Sequence, residues 1–290
     1  MTLALQSLLS GLVNGAVYAL MGVAIVLCFR SSRVVNLAQG ETFTVSGLLT
    51  AKLTLLGLPL AGAGLVGVAA AVVGSLLLER LVLRPRLHWP PARLIIVTLG
   101  VAFLVEGVAY RVVGADQYSF PPMAPRTSLL VANAAISAQG VLVVAVALAA
   151  SGLLVWFFRG ALLGQAMSAC AENPSASALL GINVGALRQL SYGVAGLLGG
   201  VSALLLIPLG NLTYDAGLTM TLNGFVAAAF ANMRHPGRAL FAGLALGVGE
   251  GFVGSYVNPL FETPVVFGIF LIIGVLYLSR QVRFGEVARA

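Results

Sequence analysis

Charged residues are scarce in this chain, and their scarcity limits what the protein can be. Only 9% of its 290 residues are charged, whereas 59% are hydrophobic. Soluble domains carry about 25% charged residues, so the composition excludes an ordinary soluble domain. At roughly 20 residues per crossing, the long runs of Leu, Ala, Val and Gly predict about nine helical spans, within a range of eight to ten, in one transmembrane domain over residues 1–290.

Lysine, cysteine and histidine are also scarce, and each scarcity removes a class of function. Lys52 is the single lysine and is not part of a Gly-Lys-Ser/Thr phosphate loop. Cys28 and Cys170 do not predict a structural disulfide. His88 and His235 are isolated beside arginines and predict no metal site. With no His-Glu-x-x-His or Gly-x-Ser-x-Gly motif either, we expect neither an enzyme nor a cofactor.

The apolar runs predict an all-α, polytopic membrane protein. The predicted spans cover residues 9–29, 42–57, 60–83, 94–113, 138–158, 190–210, 218–232, 239–256 and 264–280. No positively charged segment precedes the first span, so we expect it to be retained rather than cleaved as a signal peptide.

The distribution of basic residues predicts the orientation, because Lys and Arg accumulate on cytoplasmic loops. An outside N-terminus and an inside C-terminus place Arg111 and Arg126 outside, with Lys52 reaching outward from its span. The other basic residues then lie inside: Arg30, Arg33, Arg80, Arg84, Arg86, Arg93, Arg159, Arg188, Arg234, Arg238, Arg280, Arg283 and Arg289. This scatter reports membrane topology and does not predict a nucleic-acid partner.

The second and seventh spans are unusually short and run in opposite directions. Short or interrupted segments at corresponding places of two inverted halves point to a substrate site near the middle of the membrane. The pattern therefore predicts an inverted repeat with broken helices. The alternative is that two ordinary spans have been divided at the wrong residues.

The segment 36–41 places Asn36, Gln39, Gly40 and Glu41 between two apolar spans. Polar groups at membrane depth are costly unless they face protein or a water-filled path. We therefore interpret 36–41 as a broken helix that lines a translocation path. The alternative is a cytoplasmic turn in which Asn36 caps a helix.

The inner loop 159–189 has the pattern helix, break, helix. Asn173 is a candidate N-cap, Pro174 suits the first helical position, and Gly181 suits the C-terminal cap. A helix of about two turns needs a docking partner to be stable. The loop is either such a docking segment or a linker helix on the membrane surface.

Glycines and two acidic residues within the spans have two interpretations each. Five glycines are spaced by four residues within two spans: Gly196, Gly200, Gly243, Gly247 and Gly251. This spacing either predicts faces on which helices pack closely or reflects the abundance of glycine in the chain. Glu106 and Glu250 are either structural carboxyls or proton carriers. The second option would make the protein a proton-coupled secondary transporter, and a passive channel is a third possibility.

The chain resembles the permease subunits of ABC importers for branched-chain amino acids. The resemblance is carried, in order, by Asn36-Leu37-Ala38-Gln39-Gly40-Glu41, Glu79-Arg80 with Arg84-Pro85, Thr98-Leu99-Gly100, Leu163-Gly164-Gln165-Ala166-Met167, Glu172-Asn173-Pro174, Leu180-Gly181-Ile182-Asn183, Phe225-Val226-Ala227-Ala228 and Pro236-Gly237. Two departures stand out. Ser168 replaces a frequent Arg, and Ala231-Asn232-Met233 replaces a frequent pair of glycines.

The resemblance implies a permease of the bacterial inner membrane that moves a small solute, an amino acid or amide, and takes its energy from a separate ATPase. It implies two cytoplasmic ATPase subunits, a second permease subunit, identical or different, and a periplasmic or extracellular binding protein. The ATPase-coupling positions it implies are Gly164, Glu172, Asn173, Pro174, Ala176 and Gly181. We expect solute recognition by helix N-termini and polar backbone near 36–41 and 221–225, the latter including Asn223 and Phe225.

Overall fold

The structure, a computed structural model, describes residues 2–131, 134–233 and 235–258, together with 264, 268 and 272. Ten α-helices lie within these ranges: α1 (Thr2–Ser32), α2 (Glu41–Leu55), α3 (Leu60–Leu77), α4 (Pro91–Val113), α5 (Ala138–Gly160), α6 (Leu162–Glu172), α7 (Pro174–Leu179), α8 (Val184–Leu206), α9 (Ala216–Phe230) and α10 (Pro236–Tyr256). A π-helical turn (Leu78–Leu83) and a 3-10 turn (Arg84–Arg86) extend α3, and a 3-10 turn (Ile207–Leu209) extends α8.

Eight of the nine predicted spans coincide with helices, namely α1 to α5 and α8 to α10. The ninth, 264–280, lies outside the described residues apart from the three isolated positions 264, 268 and 272. The prediction of an all-α polytopic membrane protein is therefore confirmed over the described part of the chain.

Six helical stretches of the described chain are long and apolar enough to cross a membrane. They are Leu3–Ser32, Leu60–Arg86, Pro91–Val113, Ala138–Phe158, Val184–Leu209 and Pro236–Tyr256. By contrast, α2 and α9 have 15 residues each, or about 22 Å of helix against a hydrocarbon layer of about 30 Å. The sequence-based count of nine took these two short helices as complete crossings.

Helix α1 forms the centre of the protein. In its most apolar stretch 83% of the residues are buried, compared with 17% for α4 and for α5. It packs against α5, α8, α9 and α10. A helix enclosed by other helices needs no polar face, which accounts for its nearly uniform apolar sequence.

A small β-hairpin was not predicted from the sequence. Strand β1 (Ser128–Val131) pairs antiparallel with β2 (Ala134–Ser137), and Leu129 faces Ile136 across the pair. The hairpin lies in the loop 114–137, which connects the predicted spans 94–113 and 138–158.

The two long loops lie at opposite ends of α1. Near its start, the Gln6 side-chain amide exchanges hydrogen bonds of 3.0 and 2.9 Å with the backbone of Ala135 in β2. Just beyond its end, the Arg33 side chain donates to the backbone carbonyl of Ala171 in α6. The 114–137 loop and the 159–189 loop therefore lie on opposite sides of the helical body.

Candidate functional site

A short non-helical break separates α1 from α2. Arg33, directly after α1, has the left-handed φ of 58°, a backbone conformation that costs a non-glycine residue about 1–2 kcal/mol. The Asn36 side-chain oxygen then accepts from the Ala38 N–H at 3.1 Å. Asn36 thus forms the turn expected of a capping asparagine, but it is buried rather than exposed on a loop.

Gln39 fixes the break to the neighbouring helices. Its side-chain nitrogen donates to the Ala195 carbonyl of α8 at 2.9 Å and to the Thr42 hydroxyl at 3.3 Å. Its side-chain oxygen accepts from the Cys28 thiol of α1, with 3.7 Å between the heavy atoms. Ala195 is 11 residues into α8, about 17 Å along its axis, so the break lies deep in the helical body.

The break also brings the start of α2 against the start of α9. The Gly40 N–H donates to the Thr221 hydroxyl oxygen at 2.8 Å, and that hydroxyl lies within 3.1 Å of the Leu37 carbonyl. A Cβ atom at Gly40 would overlap the Gly217 carbonyl, and one at Gly217 would overlap the side chain of Glu41. Glycine at both positions is what allows the two helix starts to touch.

The first N–H groups of α2 already have partners inside the break. The N–H groups of Glu41, Thr42 and Phe43 donate to carbonyls three residues back, at 3.2, 3.2 and 2.9 Å. The expectation that the start of α2 offers free N–H groups to a solute therefore does not fit this conformation.

The remaining predicted path residues lie on or beside α9. Asn223 is buried, and its side-chain oxygen has no hydrogen-bond partner in the described part of the chain. Phe225 is half-buried and packs against the apolar core. Glu41 is buried, and one of its oxygens likewise has no partner among the described residues.

The helix, break, helix pattern predicted for the inner loop is confirmed as secondary structure. The Asn173 side chain accepts from the Ala176 N–H at 3.0 Å, and Pro174 is the first residue of α7. At the other end, Gly181 has φ of 80°, and its N–H and that of Ile182 donate to Ala178 and Ser177 carbonyls at 3.0 and 3.1 Å. These bonds form a Schellman cap, which explains why glycine suits position 181.

The predicted coupling residues divide by exposure. Gly164 is buried, where a Cβ would meet the backbone of α5, whereas Glu172, Asn173, Pro174, Ala176 and Gly181 are exposed. Sequence reasoning missed two apolar neighbours, Leu179 and Leu180, which are 89% and 80% exposed. Adjacent exposed leucines at the end of a helix of six residues were a readable signal for a docking surface.

Two arginines tie α6 to the end of α1. Arg30 donates to the Ser168 hydroxyl at 2.8 Å, and its guanidinium lies 4.8 Å from the centre of the Phe158 ring. Arg33 donates to the Ala171 carbonyl at the end of α6. From the sequence, both arginines are predicted only to mark the inner side of the membrane. Ser168, where the resembling family often has Arg, is the acceptor that keeps a second positive charge away from Arg30.

A cleft of about 530 Å³ lies at this junction, lined by Phe29, Arg30, Arg33, Ser168, Ala171, Glu172, Met233 and His235. Besides Arg33, the left-handed non-glycine residues of the described chain are Asn232 and Met233, with φ of 52° and 54°. Both lie in the stretch Ala231-Asn232-Met233, where the resembling family often has a pair of glycines, and glycine adopts this conformation without steric cost.

The start of α8 has its own polar anchor. Arg188 Nε lies 2.6 Å from Glu79 Oε1, and the Glu79 side chain is fully buried in the π-helical turn that extends α3. One helical turn further, the Tyr192 hydroxyl lies 3.1 Å from the Ser32 hydroxyl of α1. The segment α6–α7 is therefore joined to the end of α1 by Arg30 and Arg33. Helix α8, which follows α7, contacts α1 through Tyr192 and the break through the Ala195 carbonyl.

The five predicted packing glycines all lie at tight helix crossings. A Cβ at Gly196 would come within 3.0 Å of the Val72 Cα, and one at Gly200 within 3.2 Å of the Val68 Cα, both on α3. Gly243, Gly247 and Gly251 on α10 would meet α1 in the same way, against Ala19, Gly15 and Gly11.

The family of the chain is decided by comparison with known proteins. The family described as branched-chain amino acid transport system permease component matches residues 7–276. The chain belongs to this permease family. The high-affinity branched-chain amino acid transport permease LivH of Salmonella typhimurium is 24% identical over 286 residues, covering 93% of this chain and 92% of the relative.

Two further relatives are also branched-chain amino acid transport permeases. The permease BraD of Pseudomonas aeruginosa is 24% identical over 283 residues, covering 93% of this chain and 92% of the relative. A probable LivH of Methanocaldococcus jannaschii is 29% identical over 263 residues, covering 84% and 79%. The chain is thus a multi-pass permease of the ABC importer family and is not itself an enzyme.

The two carboxyls considered as proton carriers differ in setting. Glu250 of this permease is buried on α10, and Glu106 is half-buried on α4.

Within the described residues, no group of three or more His, Cys, Asp or Glu could hold a metal ion.

Proposed function

We propose that this permease moves branched-chain or similarly small amino acids across the membrane, powered by a separate ATPase that docks on the segment 159–189. The observation that carries the proposal is the double connection from this segment to the break at 33–40. On one side Arg30 and Arg33 bind α6. On the other side α8, which follows α7, contacts Ser32 through Tyr192 and accepts from Gln39 at the Ala195 carbonyl. A docked ATPase that displaces α6 and α7 would pull directly on the break.

The docking surface consists of α7 and its caps. Leu179 and Leu180 supply apolar anchors, and the exposed Glu172, Asn173, Pro174, Ala176 and Gly181 surround them. A helix of six residues gains stability from a partner's surface, because isolated helices of this length do not persist in water. Gly164 has a supporting role, since its close contact with α5 sets the angle at which α6 leaves the membrane.

The N-terminus is proposed to lie outside and the C-terminus inside, in the inner (plasma) membrane. The loops 114–137 and 159–189 lie at opposite ends of α1, which supports their placement on opposite sides of the membrane. The arginines favour the inner side for 159–189. Lys52 fits the outer side, because its ammonium lies 4.7 Å from the centre of the Tyr118 ring, and Tyr118 is in the proposed outer loop 114–137.

An inverted repeat is supported by the packing of the helices. Suppose that α1, α2 and α3 correspond to α8, α9 and α10. Exchanging each helix for its counterpart then turns the α1–α10 contact into the α8–α3 contact, and the α1–α9 contact into the α8–α2 contact, and all four contacts are present. The two short helices, both of 15 residues, then meet at their starts near the symmetry axis.

The meeting point of α2 and α9 is proposed as the translocation site. It contains Asn36, Gln39, Gly40 and Glu41, with Asn223 and Phe225 following on α9. Asn36 and Gln39 hold the backbone of the break, since their side chains are already hydrogen-bonded. Glu41 and Asn223 retain acceptor oxygens without partners in the described structure and are the groups open to a solute.

The assembly is proposed to contain a second permease subunit, two cytoplasmic ATPase subunits and a solute-binding protein outside. The names of the relatives, which describe permease proteins of transport systems, support this assembly. The exposed faces of α4 and α5 are free for lipid or for the second permease.

Affinity purification of the tagged chain from its native membrane in mild detergent, followed by mass spectrometry, tests this proposal. We expect an ATPase to be recovered with the tagged chain. A second permease should also be recovered, unless that subunit is another copy of this chain. The matched control is the tagged Gly181→Val variant, which should insert but lose the ATPase, because a β-branched side chain is strained at φ of 80°. A wild-type chain that repeatedly purifies alone would contradict the proposal.

A further inference from the structure

Glu41 is the buried carboxyl at the meeting point of α2 and α9. Its side chain is in the first turn of α2 and is 5% exposed. Oε1 lies against Gly217 in the first turn of α9, since a Cβ on that glycine would overlap it. Oε1 therefore lies beside the first turn of α9, whereas Oε2 has no hydrogen-bond partner in the described part of the chain.

A second acceptor without a partner lies on the same face of α2. Thr44, three residues after Glu41, is fully buried, and its hydroxyl likewise has no partner among the described residues. Both side chains border Gly217, because a Cβ atom on this glycine would be 2.6 Å from Glu41 Cδ and 2.7 Å from Thr44 Oγ1. Buried polar groups are nearly always paired, so two adjacent orphan oxygens need an explanation.

Glu41, but not Thr44, also borders a cavity on the side away from Gly217. Glu41 lines a cavity of about 70 Å³ between α2, α3 and α4, and none of the described residues that line this cavity is basic. Glu106 on α4 directly follows Val105, which lines this cavity. A cationic group that donates hydrogen bonds would therefore complement the site.

We propose that Glu41 forms the subsite that receives the ammonium group of the transported solute, with Thr44 beside it on the side of α9. This inference rests on the proposed translocation function and specifies its substrate class as solutes with a primary amine, which favours amino acids over uncharged amides. A cavity of about 70 Å³ accommodates an ammonium group with its neighbouring carbon. The rest of the solute requires the helices around the break to separate.

The test uses the complete transporter, with its ATPase, second permease and binding protein, in proteoliposomes supplied with radiolabelled L-leucine. Glu41→Gln keeps the shape and a hydrogen-bonding group but removes the charge, and Glu41→Asp keeps the charge. Glu250→Gln is the matched control, because it makes the same change in an equally buried carboxyl on α10. Leucine uptake and binding-protein-stimulated ATP hydrolysis are measured on the same vesicles.

We expect Glu41→Gln to lower leucine uptake about tenfold or more, the loss typical of one charge-assisted hydrogen bond, with ATP hydrolysis within about twofold of wild type. Glu41→Asp should regain part of the uptake, and Thr44→Val should lower it less than Glu41→Gln does. Unchanged uptake in Glu41→Gln, or a parallel loss of uptake and ATP hydrolysis, would overturn the subsite. Absence of ATP-driven uptake in the wild type would instead overturn the proposed function itself.

Discussion

The Gly40 N–H and the Thr221 hydroxyl are joined by a hydrogen bond of 2.8 Å across 181 residues of sequence. The same hydroxyl lies within 3.1 Å of the Leu37 carbonyl and 3.0 Å of the Gly217 carbonyl. One threonine side chain thus holds the backbone of the break against the first two turns of α9. This contact fixes the geometry on which the proposed translocation site depends.

Replacing Thr221 with Val should therefore loosen the break. The change keeps the side-chain shape but leaves the Gly40 N–H buried without a partner, at a cost of about 1–3 kcal/mol. We expect a lower midpoint of thermal unfolding in detergent and reduced uptake. Thr221→Ser, which keeps the hydroxyl, is the control. Equal unfolding midpoints for the Val and Ser variants would show that the hydroxyl does not hold the break.

The contact from Arg33 to Ala171 predicts a coupling defect. Arg33→Ala removes the contact between the break and α6, so ATPase docking should persist while ATP hydrolysis no longer drives uptake. We expect the number of ATP molecules hydrolysed per leucine transported to rise about tenfold, equivalent to about 1.4 kcal/mol of lost coupling.

Arg238→Ala, which removes an exposed arginine at the start of α10, is the matched control for Arg33→Ala and should leave this ratio unchanged. A normal ratio in Arg33→Ala would remove Arg33 from the connection between the docking segment and the break.

The exposed leucines of α7 predict where the ATPase binds. Changing Leu179 and Leu180 together to Gln should abolish recovery of the ATPase during purification, because each exposed leucine that enters a partner's pocket contributes about 1.5–3 kcal/mol. The matched control changes Leu129 and Leu130 to Gln, which are 55% and 76% exposed on the hairpin at the other end of α1. Loss of the ATPase in both double variants, or in neither, would contradict this assignment.

The left-handed backbone at Asn232 predicts a difference in stability. Asn tolerates φ of 52°, whereas a β-branched residue there would cost about 1–2 kcal/mol. Asn232→Val should lower the unfolding midpoint, and Asn232→Gly should leave it unchanged or raise it slightly. The same midpoint for both variants would mean that this turn does not require the left-handed conformation.

Local features of the fold could be predicted from the sequence. The caps at Asn173 and Gly181 involve residues within a few positions of each other, so their chemistry is readable from the sequence alone. The spans were readable because membrane helices need long apolar runs, and their ends differ from the prediction by a few residues. At α1, seven more residues at the start are helical because the buried Ser7 packs beside Gly251 of α10.

Long-range features could not be predicted in this way. The pairing of Gly40 with Thr221 and of Arg33 with Ala171 depends on which helices become neighbours, and a single sequence carries no direct signal for that. The hairpin was missed for a related reason. Its strands have four residues each, too few for a periodic pattern, and they gain their stability by pairing with each other.

The central claim is that ATP hydrolysis by a docked partner drives solute movement through this chain. Its most direct test is leucine uptake into proteoliposomes that contain the complete transporter, with ATP supplied to the ATPase side and a protonophore present to remove any proton gradient. The account predicts uptake that requires ATP and is unaffected by the protonophore, in wild type and in Glu250→Gln. Uptake that needs no ATP, collapses with the protonophore and is lost in Glu250→Gln would contradict it and identify a proton-coupled carrier.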